Sequence, residues 1–239
     1  MTTLIGIKAE KGDHGIILAS DLSGTTTTWT PQGDVAYRKQ TRQEHQKIYV
    51  NKDRTAAICT SGVFDQPYID FLSQIIEGGI DLKEAIKKEF FSELERLNVS
   101  RWNGLSPSED MNGLLVAVRY EEPSLYTCWP MGKVQERPWT SIGSGSDYVL
   151  DYIRKQGRLI PYDVSLEDNI DLVVASLDRA SQDIYTGGLN FVIIKENGIF
   201  EFGDHIRSDL NLARDSIISN IKERLKLTKI PKKEVIDSS

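Results

Sequence analysis

The chain has 239 residues, of which 39% are hydrophobic and 27% charged, and its formal net charge at pH 7 is −6. The acidic balance argues against nucleic acid as the main partner, and no apolar run approaches the ~18–20 residues of a membrane span. Two cysteines are too few for a disulfide framework, so we expect a reducing, cytoplasmic compartment. Three dispersed histidines argue against a histidine-rich metal site, and we expect neither a metal nor another cofactor.

The N-terminal part of the chain predicts strands. Residues 3–8 and 16–22 are rich in β-forming residues and flank a turn at 10–15, which predicts a hairpin. The long polar segment 23–46 predicts a loop or a loose excursion from the sheet. Two short strands are predicted next, over 47–50 and 55–60.

Helices are predicted in two groups and at the end of the chain. The first group is a helix over 66–78 and a second one whose apolar residues recur every three or four positions from Leu82 to Leu97. The next group starts near Ser146 and at Ser165, where Ser165 and Asp168 resemble a capping box. A last helix has its apolar positions between Leu210 and Leu225. The remaining predicted strands are 113–120, 124–129, 139–142, 190–195 and 199–202.

The order of these elements indicates the fold class. Strands come in antiparallel-looking pairs with pairs of helices between them, which favours an α+β fold over a parallel βαβ fold. Two sheets packed face to face, with helices on their outer faces, would fit this order of elements. We expect a single domain over residues 1–239, with a basic, solvated tail from about residue 226.

Thr2 is the first residue that could carry chemistry. Removal of Met1, which is usual before a small residue, would leave Thr2 with a free α-amine beside its own hydroxyl. A hydroxyl needs a base to become a nucleophile, and an α-amine with an ordinary pKa of about 7.7–8.0 can act as that base without a histidine. Many unrelated proteins begin in this way, so Thr2 alone is a weak signal.

Five motifs in a fixed order strengthen that signal. Together they resemble the mature β subunits of the proteasome, which are N-terminal nucleophile (Ntn) hydrolases, over roughly residues 2–200. The resemblance implies a four-layer α-β-β-α sandwich, a threonine-type endopeptidase and assembly into stacked rings. The motifs are Thr2 to Lys8 with Gly15 to Asp21, Gln46 to Tyr49, Thr60 to Gly62, Ser141 to Ser146, and Asp183 to Gly188.

The resemblance also implies the roles of individual residues. Thr2 Oγ would attack a peptide carbonyl, and the backbone N–H of Gly62 would bind the developing oxyanion. Lys47, paired with Asp21, would hold positive charge near Thr2. Ser144, Asp183 and Thr186 would surround the Thr2 amine, although the family more often has serine at the last position. The implied substrate-binding residues are Thr3, Gly24, Tyr49, Cys59, Thr60 and Ser61.

Each of these residues also has an ordinary structural interpretation. Lys47 could be a solvated lysine at a strand end, and Asp21 could cap a turn. Cys59 and Thr60 could simply pack within their strand. The segment between Asp21 and Lys47 is longer than the family usually has, so we expect residues near it to help line the substrate pocket.

The resemblance implies partners as well. We expect peptide or unfolded protein as substrate, further copies of the chain in a ring or related oligomer, and a regulator or unfoldase, but no nucleic acid and no membrane. The chain lacks the N-terminal helical extension of α-type subunits, so we expect a β-type subunit. No propeptide precedes Thr2, so we expect no self-processing.

Three other functions remain to be weighed. A proteasome-like scaffold without protease activity would not need matched residues at Thr2, Asp21, Lys47, Ser144 and Asp183. An Ntn amidase or a transpeptidase would use the same acyl-enzyme, and the sequence does not separate these from a peptidase. A dinucleotide-binding loop at residues 143–145 is discounted, because the third glycine and a ribose-binding acid are missing.

Overall fold

The structure, a computed structural model, describes residues 2–32, 35–62, 66–77, 92–99, 112–119, 122–129, 134–156, 163–181, 188–202 and 210–227. The strands in these ranges are β1 (Thr3–Ala9), β2 (Gly15–Ser20), β3 (Ser23–Gln32), β4 (Val35–Glu44), β5 (Ile48–Val50), β6 (Ala56–Ser61), β7 (Gly113–Val118), β8 (Ser124–Cys128), β9 (Val134–Glu136), β10 (Trp139–Gly143), β11 (Asn190–Lys195) and β12 (Gly198–Glu201). The helices are α1 (Gln66–Glu77), α2 (92–99), α3 (Ser146–Lys155), α4 (Leu166–Ala180) and α5 (Leu210–Leu227).

Two five-stranded sheets form the centre of the molecule. The first has the strand order β10-β1-β2-β11-β12, and the second has the order β5-β6-β7-β8-β9. Every neighbouring pair of strands in both sheets is antiparallel. The predicted β1–β2 hairpin is confirmed, with Leu4 paired to Ser20 and Ala9 paired to Gly15. Strand β9 has only three residues, none of them buried, so it lacks the apolar alternation by which a strand is predicted.

The two sheets pack face to face. One apolar cluster lies between them and joins side chains such as Leu18 of the first sheet with Leu115 and Leu125 of the second. A second cluster joins the outer face of the first sheet to α3, α4 and α5. A third joins the outer face of the second sheet to α1 and α2. The result is a four-layer α-β-β-α sandwich of the α+β class, which confirms the predicted fold.

The helices of the outer layers confirm several sequence predictions. Helix α3 begins at Ser146, and α4 follows Ser165, whose side chain accepts a hydrogen bond from the Asp168 N–H at 3.1 Å. The apolar residues of α4 are all buried. In the second predicted helix, Leu94 and Leu97 are buried against sheet two, while Leu82, Ile86 and Phe90 lie outside the described residues.

The prediction of a loop over residues 23–46 is wrong. Strands β3 and β4 form a regular hairpin that pairs Ser23 with Glu44 at one end and Gln32 with Val35 at the other. Among the strands that the structure describes, these two pair with each other and not with either five-stranded sheet. Strands are predicted from alternating apolar residues, which face a core. Strands β3 and β4 do not belong to either sheet that faces the core, so their polar sequence lacks that pattern. The β-branched threonines from Thr25 to Thr28 nevertheless favour extended backbone.

None of the helices that the structure describes is long and apolar enough to cross a bilayer.

Candidate active site

The N-terminal segment lies at one end of the first sheet, together with the ends of β2 and β10. Strand β1 begins at this end, because Thr3 pairs with Gly143 at the end of β10. Strand β2 also ends here, and the N–H of Asp21 donates to the Thr3 carbonyl at 3.1 Å. Ser144 follows Gly143 in the turn before α3 and is half-buried. Thr2, Asp21 and Ser144 therefore lie at the same edge of the sandwich.

Gly143 allows the backbone of β10 to lie very close to the Thr2 carbonyl group. A Cβ built at this position would stand 1.8 Å from the Thr2 carbonyl oxygen, and the residue has φ of +101°. Both facts demand glycine, since a side chain would clash with the Thr2 main chain and strain its own backbone. Gly143 stands within the Ser141 to Ser146 motif, but the motif by itself assigns it no role. The available signal was a glycine directly after a strand that pairs with the N-terminal segment.

A buried ion pair lies beside this N-terminal segment. Lys47 Nζ is 2.8 Å from Asp21 Oδ1, and the two side chains are 1% and 0% exposed. The same Oδ1 accepts a hydrogen bond from the Thr3 N–H at 2.7 Å. Asp21 Oδ2 accepts from the Ser23 N–H at 2.9 Å, and Lys47 Nζ also donates to the Ser23 carbonyl at 2.5 Å. One carboxylate oxygen thus joins the lysine ammonium to the peptide that links Thr2 and Thr3.

The electrostatics of the pair are dominated by burial. Burial raises the pKa of the Asp21 carboxyl above its ordinary value, while the Lys47 ammonium and the N–H groups of Thr3 and Ser23 oppose that rise. Removing two charges from water is expensive, and a buried pair repays this only when its geometry and remaining hydrogen bonds are good. Here, three donors hold the carboxylate. The arrangement places the Lys47 amino group against the carboxylate oxygen that also binds the Thr3 N–H, in a buried environment where electrostatic interactions are strong.

The end of β6 lies beside the lysine. The Thr60 N–H donates to the Lys47 carbonyl at 2.9 Å, and Ser61 Oγ donates to the Gly113 carbonyl at 3.2 Å. Gly62 follows with φ of +109°, a conformation that glycine adopts without strain. The Thr60 hydroxyl is fully buried and has no hydrogen-bond partner in the described part of the chain.

The remaining predicted residues fall into three groups. Cys59 packs between the sheets, as the packing interpretation predicts, and burial raises its pKa well above the ordinary value. The Tyr49 hydroxyl donates to the Gln46 carbonyl at 2.8 Å, and Gly24 lies in β3, opposite Gln43. Asp183 and Thr186 lie outside the described residues.

Among the described residues, no three His, Cys, Asp or Glu side chains are grouped so that they could hold a metal ion.

Comparisons with known proteins point to one family. A family model described as "Proteasome subunit" matches residues 110–194. A curated "Proteasome subunit beta" of Haloquadratum walsbyi is 26% identical over 202 residues, which are 83% of this chain and 75% of the relative. Both comparisons support a similarity of this chain to proteasome subunits. The curated relative is of the β type, which is the type that the sequence motifs resemble. Proteasome subunits are Ntn hydrolases that generally assemble into rings, and this chain has their four-layer sandwich.

Proposed function

We propose that this proteasome-type chain is a threonine-type endopeptidase. Its nucleophile is Thr2 Oγ, exposed when Met1 is removed, and it acts inside a ring or related oligomer of its own copies. The observation that carries the proposal is the shared oxygen of Asp21, which accepts hydrogen bonds from both Lys47 Nζ and the Thr3 N–H. A buried ammonium held this close to the N-terminal residue lowers the cost of forming an alkoxide there.

The reaction proceeds in two halves. The Thr2 α-amine takes the proton of its own hydroxyl, and Oγ adds to the substrate carbonyl while the Gly62 N–H stabilises the oxyanion. The intermediate collapses, the peptide C–N bond breaks, and the amine returns the proton to the leaving nitrogen. Water, activated by the same amine, then adds to the Thr2 ester, and its collapse releases the acid and restores the hydroxyl.

Other residues support these steps in the proposal. Ser144, Asp183 and Thr186 hydrogen-bond around the α-amine and hold it beside Oγ. Thr3, Gly24, Tyr49, Thr60 and Ser61 contribute to substrate binding. Thr60 is as completely buried as Cys59, so in the proposal it contributes through the backbone position of the β6 end and not through direct contact with substrate. The position of Cys59 between the sheets argues against direct contact with substrate.

The similarity to proteasome subunits also supports proposals about the domain, the substrates and the location. Residues 1–239 act as a single domain with a basic tail from about residue 226, and the substrates are peptides or unfolded proteins delivered by a regulator or unfoldase. Two free, buried thiols, Cys59 and Cys128, fit a cytoplasmic location.

Intact mass spectrometry with a peptide epoxyketone tests the nucleophile. The Thr2 hydroxyl adds to the ketone and the free α-amine opens the epoxide, so a stable adduct needs both groups on one residue. We expect loss of Met1 and one adduct per chain. Thr2→Ala should form no adduct and turn over no peptide, yet assemble as the unmodified protein does. Turnover by Thr2→Ala would overturn the mechanism.

A second assay separates peptidase from transpeptidase and scaffold. A peptide amine is supplied together with a peptide substrate, and the products are identified by mass. Hydrolysed product alone supports the peptidase, while a ligated product indicates that an amine resolves the acyl-enzyme. Retained Met1 with neither adduct nor product would favour the scaffold.

A further inference from the structure

The side chain of Asn98 binds the backbone of Asn112, directly before β7. Asn98 Nδ2 donates to the Asn112 carbonyl at 3.0 Å, and Asn98 Oδ1 accepts from the Asn112 N–H at 2.8 Å. Asn98 lies in α2, and both residues are completely buried. The Asn98 amide therefore bonds both backbone groups of one residue, as a neighbouring strand would, at a depth where an unpaired backbone group is costly.

The pairing phase of β6 and β7 follows from the other end of these two strands. There, the Arg119 N–H donates to the Thr55 carbonyl at 2.7 Å, so these residues form a hydrogen-bonded pair. Hydrogen-bonded pairs alternate along an antiparallel ladder, and the register places Ser61 opposite Gly113 in the same phase. The Ser61 carbonyl therefore faces the Gly113 N–H. Ser61 Oγ also donates to the Gly113 carbonyl at 3.2 Å, which ties the two residues together a second time.

This pairing orients the peptide group between Ser61 and Gly62. A trans peptide is planar, so its N–H points away from its carbonyl, and the described chain contains no cis peptide bond. Because the Ser61 carbonyl faces β7, the Gly62 N–H points to the opposite side of β6. On that side the Thr60 N–H donates to the Lys47 carbonyl at 2.9 Å. The proposed oxyanion donor therefore faces the side on which Lys47 lies.

The same geometry holds for the peptide group between Asn112 and Gly113. Its carbonyl accepts from Asn98 Nδ2, so the Gly113 N–H points the other way, towards Ser61. One row of hydrogen bonds, here called the peptide relay, runs from the Asn98 amide through the 112–113 and 61–62 peptide groups to the Gly62 N–H. Successive hydrogen bonds in such a row polarise one another, and each fixes the direction of the next.

We propose that Asn98 is a positioning residue for the oxyanion hole and acts through the peptide relay. The proposal rests on the proposed peptidase function, in which the Gly62 N–H binds the oxyanion. A donor in an oxyanion hole is effective because it is held in place before the charge develops. Asn98 supplies this restraint from the helical layer, since its side chain fixes the residue whose N–H neighbour orients the Ser61 carbonyl.

Two fluorescein-labelled probes made of three leucines, one ending in an aldehyde and one in the matching alcohol, test this role. Thr2 Oγ adds to the aldehyde carbon, its proton passes to the α-amine, and the carbonyl oxygen becomes the anion that the Gly62 N–H binds. The alcohol cannot form this bond and reports ordinary peptide binding. In fluorescence anisotropy, Asn98→Ala should bind the aldehyde about 10-fold more weakly and the alcohol equally well, a smaller loss than the ~10²–10³-fold of a deleted donor.

Steady-state kinetics give a second measure of the same effect. With a peptide substrate, kcat of Asn98→Ala should fall by a similar factor while KM stays unchanged, because the interaction is made only in the transition state. A general loss of structure would weaken the binding of the alcohol and of the substrate as well.

Asn51→Ala is the matched control, at the opposite end of β6. Asn51 Oδ1 accepts from the N–H groups of Thr55 and Ala56, both at 2.8 Å, and Asn51 Nδ2 donates to Thr55 Oγ1 at 2.9 Å. Its loss also deprives two backbone or side-chain donors of their acceptor, but none of these groups belongs to the peptide relay. The control should keep the preference for the aldehyde. Asn98→Ser and Asn51→Ser serve if the alanine variants do not fold.

Hydrogen exchange measured by mass spectrometry tests the peptide relay without any reaction. In Asn98→Ala, the amides of residues 112–114 and 60–62 should both exchange several-fold faster than in the unmodified protein, whereas Asn51→Ala should change exchange near residues 55–57. Unchanged exchange at 60–62, an unchanged aldehyde preference in Asn98→Ala, or an equal loss of that preference in Asn51→Ala overturns the proposal. If the unmodified protein binds the aldehyde no better than the alcohol, the proposed nucleophile fails instead, and the exchange data still decide whether Asn98 orders the end of β6.

Discussion

Lys47 Nζ lies 2.8 Å from Asp21 Oδ1, although the residues are 26 positions apart and both side chains are almost completely buried. The chain between them is the hairpin of β3 and β4 with its connections. The first residue of β3, Ser23, is bonded to both partners. The ion pair therefore connects the end of β2, the start of β3 and the segment that precedes β5.

Breaking this pair should destabilise the protein strongly. Lys47→Met leaves the Asp21 carboxylate buried without its ammonium, and Asp21→Asn leaves the ammonium buried without its carboxylate. Each should lower the free energy of unfolding by about 3–5 kcal/mol in urea denaturation. The double variant carries no buried charge and should be less destabilised than the two losses added together. Additive losses would contradict direct coupling of the pair.

Gly143→Ala should displace the N-terminal segment. Its Cβ would stand 1.8 Å from the Thr2 carbonyl oxygen, so the backbone of Thr2 must move. We expect a loss of stability of about 2–4 kcal/mol, together with slower epoxyketone adduct formation. Gly12→Ala is the matched control, because Gly12 has φ of +73° but no atom within 4 Å of a Cβ. It should cost only about 1 kcal/mol of backbone strain and leave adduct formation unchanged.

The buried thiols should make stability fall in alkali. Burial raises the pKa of Cys128 to about 12 and raises that of Cys59 well above its ordinary value. In the unfolded chain a thiol titrates near ~8.5. Above that pH the folded state keeps protons that the unfolded state releases, so stability is complete below about pH 8.5 and declines as pH rises towards the folded pKa. The slope is at most ~1.4 kcal/mol per pH unit for each thiol.

Urea denaturation at pH 8, 9 and 10 under reducing conditions measures this decline. The control is Cys59→Ala/Cys128→Ala, which is less stable at every pH but should lose less stability between pH 8 and 10. Iodoacetamide at pH 8 should label neither thiol in the folded protein and both in urea. Parallel pH curves for the two proteins would refute the raised thiol pKa values.

Arg54 should contribute more to the free energy of unfolding than its ion pair with Glu201 alone, because it connects the two sheets through a second contact. It donates to Glu201 Oε1 at 2.8 Å and to the Ile199 carbonyl at 2.7 Å, which joins the β5–β6 turn to β12. The ion pair is half-exposed, so Glu201→Gln should cost less than about 1 kcal/mol. Arg54→Ala should cost more, because it loses both contacts and keeps a φ of +52°. Arg54→Gly relieves that backbone, so it should be more stable than Arg54→Ala in thermal unfolding. Equal losses in Glu201→Gln and Arg54→Ala would exclude a contribution from the Ile199 contact.

The fold could be predicted from the sequence to the extent that apolar side chains recur with a period. Helix α4 and the β1–β2 hairpin were predicted because their residues must face a core on one or both sides, and burial imposes that pattern on the sequence. The hairpin of β3 and β4 and strand β9 could not be predicted in this way. Among the described strands, β3 and β4 pair only with each other, and β9 buries none of its residues.

The same distinction applies to the candidate site: its residues can be predicted from local sequence, but their contacts cannot. Local motifs are enough to name Thr2, Asp21 and Lys47, because they depend only on residue types and their order along the chain. The folded chain is needed to show that Asp21 shares one oxygen between Lys47 and the Thr3 N–H, and that the Thr2 carbonyl requires glycine at 143. Contacts between distant residues depend on strand register and sheet order, and these are set by the packing of the whole sandwich rather than by any segment of the chain.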